Sequence, residues 1–448
     1  MYRVREALLQ NDLDEARARL ADAGRGTDDL LFALEDGLLL HYAGDPELSN
    51  SRFEFAEQRV DDLYTKSISR AALSLVTSDL ILKFEPRGID NFLVNYYRAL
   101  NYLQLGEAGE ARVEWRKLNS KLQFSRQHGD APYLDPPFFN HLAGLGLEAD
   151  DPNEAYVSMR LAESGYRQLG RNPPADLVGD LMRLSAALGL GDHLETYRQR
   201  YAHPGSLPAP VVFSPGRAQF GGGEPVGEIV VLLEDGLVAP IEEIRAFIPV
   251  AESRAATLYE GDRFELAALL ADEYSSGRYD GVTSSRAKRG VAYVMPLSFP
   301  VFGVGYPAFE WAEVSVGEEV AGARVALDVT DLQRGAFESQ LLGIYAKTIA
   351  RALFKWAAAA ELRKEAEEEH GETAGDIVGI LANAVNVATE RADTRAWLGL
   401  PHRIWIARLR VPPGPYEVRA VLAGFGEVAL GPVDVRPGER VFISYRIF

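Results

Sequence analysis

The chain has 448 residues, 47% hydrophobic and 25% charged, with no cysteine and a formal net charge of −18. Its length exceeds one ordinary domain, and its composition excludes extended disorder. The acid is spread over both halves, so nucleic acid is excluded as a partner; the absence of Cys excludes disulfides, thiolate metal sites and a cysteine nucleophile.

The first residues, Met1-Tyr2-Arg3-Val4-Arg5-Glu6, carry no apolar run, so no export signal is expected here, whether this start is native or trimmed. Helical hairpins dominate residues 1–202. Around 91–121, Ala99, Tyr102, Gly106, Ala111 and Trp115 stand at tetratricopeptide spacing. Small residues let antiparallel helices approach, large ones fill the groove, and glycine makes the left-handed turn. Gly37, Leu40, Gly44, Ser49 and Phe53 repeat the pattern. Ala143, Asp150, Ala155 and Met159 match it except that Gly146 stands where a large residue is expected. Asn11, Ala16 and Leu20 fit a turn and second helix, and Leu184, Ala187, Gly191 and Thr196 fit least well. A curved array is expected, with an irregular helical bundle as the alternative.

Residues 203–226 are rich in Pro and Gly and read as a linker. Beyond it, strands are expected at 227–233, 244–249, 291–299, 309–315 and 323–328, with a short helix over 263–274. Gly290 to Phe309 is twenty residues without a charge, but Pro296, Pro300 and Pro307 argue for paired strands, not a membrane span. A long helix is expected from Asp331 to His370 and a second over 373–391. The chain closes in strands at 403–411, 416–423, 428–435 and 440–447, expected to form one sheet of a small β-sandwich-like module. The fold class is therefore α+β and multidomain: helical repeats over 1–202, a linker over 203–226, and an α+β domain over 227–448, with strands in 227–328, helices in 331–391 and terminal strands in 403–448.

Four segments carry a family resemblance: VNYYRALNYLQLGE (94–107), GEIVVLLEDGLVAP (227–240), MPLSFPVF (295–302) and, most distinctively, ATERADTRAWLGLPHRIWIARLRVPPGPYEV (388–418). Together they resemble an uncharacterised family of tetratricopeptide-containing proteobacterial proteins, many made as lipoproteins. Its members are often encoded near small lipoproteins associated with activation of penicillin-binding proteins. The resemblance implies a periplasmic protein, outer-membrane-anchored in its precursor, with no enzymatic activity and with a cell-wall synthase or its activator as partner. This sequence departs from that pattern in lacking the lipid-bearing Cys; a native start at Met1 would imply a cytoplasmic protein.

Several clusters carry residue types that chemistry could use. Ser285-Arg286-Ala287-Lys288 matches a serine–lysine pattern without its companion elements and reads as a solvated loop. Gly221–Gly223 and Gly303-Val304-Gly305 lack the rest of a phosphate or dinucleotide fingerprint. His41 and His141 fall on apolar helix faces and read as core residues, and no metal or cofactor is expected. Lys347, Arg351 and Lys355 recur every fourth residue, either as a basic surface for anionic lipid or as one solvated face of a core helix. Asp393, Arg395 and Trp397 read as a structural latch. The favoured function is a non-enzymatic envelope scaffold that binds protein or peptide on the inner face of the array, through Leu93, Tyr96, Leu100 and Gln104. The alternatives are an envelope-polymer hydrolase using Glu228, Glu234 or Asp235, and a peripheral membrane module centred on the 331–370 helix, with a lipid anchor outside this sequence as the other route to a membrane.

Overall fold

The computed structural model describes residues 2–24, 28–65, 84, 86, 88–128, 136–201, 226–251 and 291–448. The linker up to residue 225, the helix expected over 263–274, Ser285–Lys288 and Gly221–Gly223 lie outside the described residues.

The first half is built of antiparallel helix pairs: α1 (Tyr2–Leu9) with α2 (Leu13–Ala23), α3 (Asp29–Tyr42) with α4 (Pro46–Thr65), α5 (Asp90–Gln104) with α6 (Ala108–His128), α7 (Pro137–Leu147) with α8 (Pro152–Gln168), and α9 (Ala175–Ala187) with α10 (Gly191–Tyr201). Gly106 turns α5 into α6 at φ +74°, a conformation that a side chain would strain. The α7–α8 turn is made differently: Asp151 caps α8 by accepting from the N–H groups of Asn153 and Glu154, and Pro152 opens the helix. In the last pair the repeat template is off by two residues. Gly189, at φ +72°, is the turn, and Gly191 already belongs to α10.

Gly146 explains its own departure from the template. A Cβ there would sit 2.2 Å from Trp115 Nε1, so the indole of α6 fills the space that a large residue on α7 would otherwise take. Volume is conserved between neighbouring pairs; its owner has changed.

The second half places its strands in three sheets. The central one has the order β10-β1-β7-β6, with β1 (Gly227–Asp235) parallel to β10 (Arg440–Ile447) and antiparallel to β7 (Arg403–Val411), whose other neighbour is β6 (Arg324–Asp328). An outer sheet has the order β5-β4-β8-β9, from β4 (Ala312–Val316), β5 (Glu319–Gly322), β8 (Gly414–Leu422) and β9 (Gly426–Val435). The four terminal strands therefore do not form one sheet, as their proximity in sequence suggested. β7 and β10 join the central sheet, and β8 and β9 the outer one. The burial patterns explain the split: β7 is largely covered on both faces, whereas β8 alternates and needs only one cover.

β1 is buried at every position because it lies in the middle of three layers. Val230 and Leu232 belong to the same core as Leu93, Tyr96 and Phe138 of the helices. Ile229, Val231 and Leu233 point the other way, into a core shared with Val314, Val418 and Ala420 of the outer sheet. Period-two alternation thus sorts one strand between two unlike partners.

A further unit pairs β2 (Ile241–Ala251) with β3 (Val291–Phe302) and lays Met295, Leu297 and Phe299 on Tyr345, Ile349 and Trp356 of α11 (Val329–His370). The uncharged stretch is thus strand and loop; among the described residues no helix is long and apolar enough to cross a membrane. At 42 residues α11 spans about 63 Å. It starts on a cap from Asp328 and, after Gly371, the chain returns as α12 (Glu372–Thr389), which packs Gly375 and Gly379 against Glu367 and Arg363.

Gly146→Ala should lower the unfolding free energy by about 1–3 kcal/mol through overpacking against Trp115. Urea denaturation of the purified chain measures it, and an unchanged midpoint would contradict the packing described.

Candidate functional site

The boundary between the helical array and the central sheet concentrates the chain's buried charge. Burying a carboxylate is unfavourable unless hydrogen bonds or cations replace its water. Glu228, Glu234 and Asp235 of β1 are all essentially without exposure, and each is compensated differently.

Glu234 faces the helices and accepts hydrogen bonds from the hydroxyls of Tyr42 (2.6 Å), Tyr96 (2.9 Å) and Tyr97 (3.1 Å). Burial, reinforced by the Glu234 charge, pushes all three phenols well above their ordinary range, so they stay protonated as donors. Arg446 of β10 lies over the Tyr42 ring, 5.3 Å from its centroid.

Glu228, on the same face six residues earlier, is held by cations. Arg408 of β7 approaches to 2.7 Å and Arg440 of β10 to 2.5 Å. Arg408 continues to Asp180 of α9 (2.6 Å) and Arg440 to Glu148 after α7 (3.2 Å). Arg183 joins Glu148 (2.5 Å) to Asp180 (3.1 Å), and Asp176 sits between Arg408 (3.4 Å) and Arg324 of β6 (3.3 Å). Burial alone would raise these acids; for Glu228, Arg408 and Arg440 outweigh it, and for Asp176, Arg408 and Arg324 hold the carboxyl at about 2. His141, in the same region, is pushed down by burial, against its link to Asp180.

Asp235 points to the outer sheet. It pairs with Arg403 at 2.6 Å and accepts from Trp405 Nε1 (3.2 Å) and the backbone N–H groups of Ala308 and Phe309. The three acids considered for hydrolysis thus each brace a layer and present no free carboxylate to a substrate.

The inner face of the array is occupied in the same way. Leu93, Tyr96 and Leu100 do lie on the inward side of α5, but they are buried in the shared core; of the four residues expected to contact a partner, only Gln104 is exposed. The chain's own sheet stands where an external peptide was expected.

The basic row of α11 is corrected for a related reason. Arg351 is 1% exposed and pairs with Glu390 at 2.9 Å, and Lys355 reaches the same carboxylate at 2.7 Å. Lys347 is half-buried and engaged. These cations tie α11 to the end of α12 and do not form a lipid-facing surface.

Asp393 accepts from the backbone N–H of Arg395 (3.0 Å) and from its guanidinium (2.7 Å), while Arg395 stands 3.9 Å from Asp28 at the start of α3. Trp397, fully buried, lies against Phe53 and Tyr97. Glu35 of α3 completes this seam by accepting from Leu398 N (2.7 Å) and Gly399 N (3.1 Å). Burial raises its carboxyl to about 7, against the two backbone donors. His41, pushed down by burial, pairs with Asn101 at 2.6 Å.

One surface was not singled out from sequence. Ile377, Ile380, Leu381 and Val385 of α12 are 54–69% exposed on one helix face. The signal was present: between Thr373 and Thr389 the single charge is Asp376, and Ile377, Leu381 and Val385 recur every four residues.

Glu228→Ala should destabilise by about 3–5 kcal/mol, because Arg408 and Arg440 lose their shared counter-charge inside the fold; calorimetry measures it. The pH response has two limbs. Folded Glu35 keeps its proton up to about 7 but loses it near 4.5 when unfolded, so its contribution to stability declines as pH rises through that window. Asp176 contributes fully above 3.8 and loses that contribution as pH falls toward 2. Urea midpoints between about pH 5 and about pH 8 should fall less steeply in Glu35→Gln than in wild type.

No known family profile matches the chain, and no curated protein matches it. Among solved structures, it overlays on the crystal structure of the apo form of RapI at a TM-score of 0.32 and 10% identity, over 86% of this chain and 97% of that one, a likeness too slight to carry an argument.

Proposed function

We propose that this chain is a non-enzymatic adaptor that binds a protein partner through the exposed apolar row of α12. The observation that carries the reading is that row: Ile377, Ile380, Leu381 and Val385 are each more than half exposed on a helix well anchored to α11. Exposed apolar faces of this kind mark interaction surfaces. Charge argues for protein in preference to membrane. Glu365, Glu367, Glu368 and Glu369 crowd the hairpin tip, where they would repel anionic lipid, and Asp376 is paired with Arg363 at 2.9 Å. An apolar partner surface, such as one face of an amphipathic helix, suits the row.

The envelope setting, with a cell-wall synthase or its activator as partner, is part of the same proposal. It rests on the resemblance carried by residues 94–107, 227–240, 295–302 and 388–418.

In-cell crosslinking of wild type beside an Ile380→Asp/Leu381→Asp variant tests both parts. An envelope protein captured by wild type should fall about tenfold or more in the variant while the unfolding midpoint holds. Equal capture by the two chains would overturn the docking surface, and capture of cytoplasmic proteins alone would overturn the envelope setting.

A further inference from the structure

A second surface stands apart from the reading above, in residues of α8 and α10 only. These outer helices of adjacent pairs meet through Tyr156, whose hydroxyl lies 2.7 Å from His193 Nδ1 and 3.4 Å from the Tyr197 hydroxyl. Further along, Glu163 of α8 accepts from Arg200 (2.9 Å) and from the Tyr201 hydroxyl. Between the contacts opens a cleft of about 340 Å³, lined by Arg160, Glu163, Arg167, His193, Thr196 and Arg200 among others.

Its charge is unbalanced. Three guanidiniums face one carboxylate, that of Glu163, and no other acid lines the cleft. Glu163 is 2.9 Å from Arg200 but 3.7 Å from Arg167. Arg160 has no ion pair among the described residues; its guanidinium lies over the Tyr156 ring, 5.8 Å from the centroid. Two positive charges are thus left over on a chain of net −18. Around Glu228, by contrast, the guanidiniums of Arg408, Arg440, Arg183 and Arg324 each lie against at least one buried or half-buried carboxylate.

We propose that the cleft between α8 and α10 binds a small organic phosphomonoester. A dianion matches the surplus of two charges, and planar guanidiniums offer paired N–H donors suited to phosphate oxygens. Ser164 brings a hydroxyl to the same walls, whereas that of Thr196 donates to the Asp192 carbonyl. The volume falls in the range of small-molecule sites and exceeds what a bare ion needs.

Isothermal titration of the full chain with glycerol 3-phosphate, at low salt, tests the assignment. Saturable one-to-one binding is expected, about tenfold or more weaker in Arg160→Gln and unchanged in Arg419→Gln, a surface control on β8. Among the described residues Arg160 has no ion pair to lose and only an exposed contact with the Tyr156 ring, so its variant should stay close to the wild-type unfolding midpoint; Arg167→Gln provides a second readout. Absence of saturable binding, equal affinity in Arg160→Gln, or equal affinity for sulfate would overturn the proposal. Tighter binding of a phosphoserine hexapeptide would overturn it in favour of a phosphorylated protein. None of these outcomes bears on α12, so failure here and failure of the adaptor reading are separate results.

Discussion

Strand β1 carries the constraint on which the other layers depend. It places Glu228 and Glu234 on the face that meets the helices, with Val230 and Leu232 between them. An apolar strip alone would tolerate sliding of the array along the sheet. Two buried acids with unlike partners do not: one needs guanidiniums and the other needs phenols. A shift of the array would separate Glu234 from Tyr42, Tyr96 and Tyr97 and at the same time part Arg408 and Arg440 from Asp180 and Glu148. The polar groups thus specify the docking geometry that apolar burial stabilises.

That geometry changes what the helical repeats are for. Hairpin arrays are commonly read as open scaffolds whose inner surface receives a partner. Here the inner surface receives β1, β7 and β10 of the same chain, and the segment 393–400 is threaded along α3 by Glu35, Arg395 and Trp397. Among the described residues, the apolar row of α12 and the cationic cleft between α8 and α10 lie outside that seam. The two differ in chemistry, one without charge and the other with a surplus of it. A partner and a small ligand could therefore be held at once, without competing for the same atoms.

Much of the architecture was legible in the residues. The small-large-glycine spacing of 99–115 predicts α5 and α6, and the apolar run of 229–233 predicts a buried strand. The same spacing failed at Gly191, because the turn glycine sits two residues earlier, and it failed at Gly146, because volume was supplied by Trp115 from another helix. The terminal strands are legible from alternation, but their division between two sheets is not. Strand identity follows from local alternation, whereas sheet membership follows from which distant strand supplies the next ladder.

Site chemistry divides along the same line. Local pattern determines which residues share a face: Leu93, Tyr96 and Leu100 on α5, Arg351 and Lys355 on α11, Ile377 and Leu381 on α12. Only the tertiary structure decides what that face meets. Tyr96 meets Glu234 across 138 positions of sequence, Arg351 meets Glu390 across 39, and Ile377 is left to solvent. Helical and strand periods are set by backbone geometry within a few residues and so can be read from order alone. Whether a carboxylate is a reagent or a brace depends on the charges that folding brings beside it, and those come from anywhere in the chain.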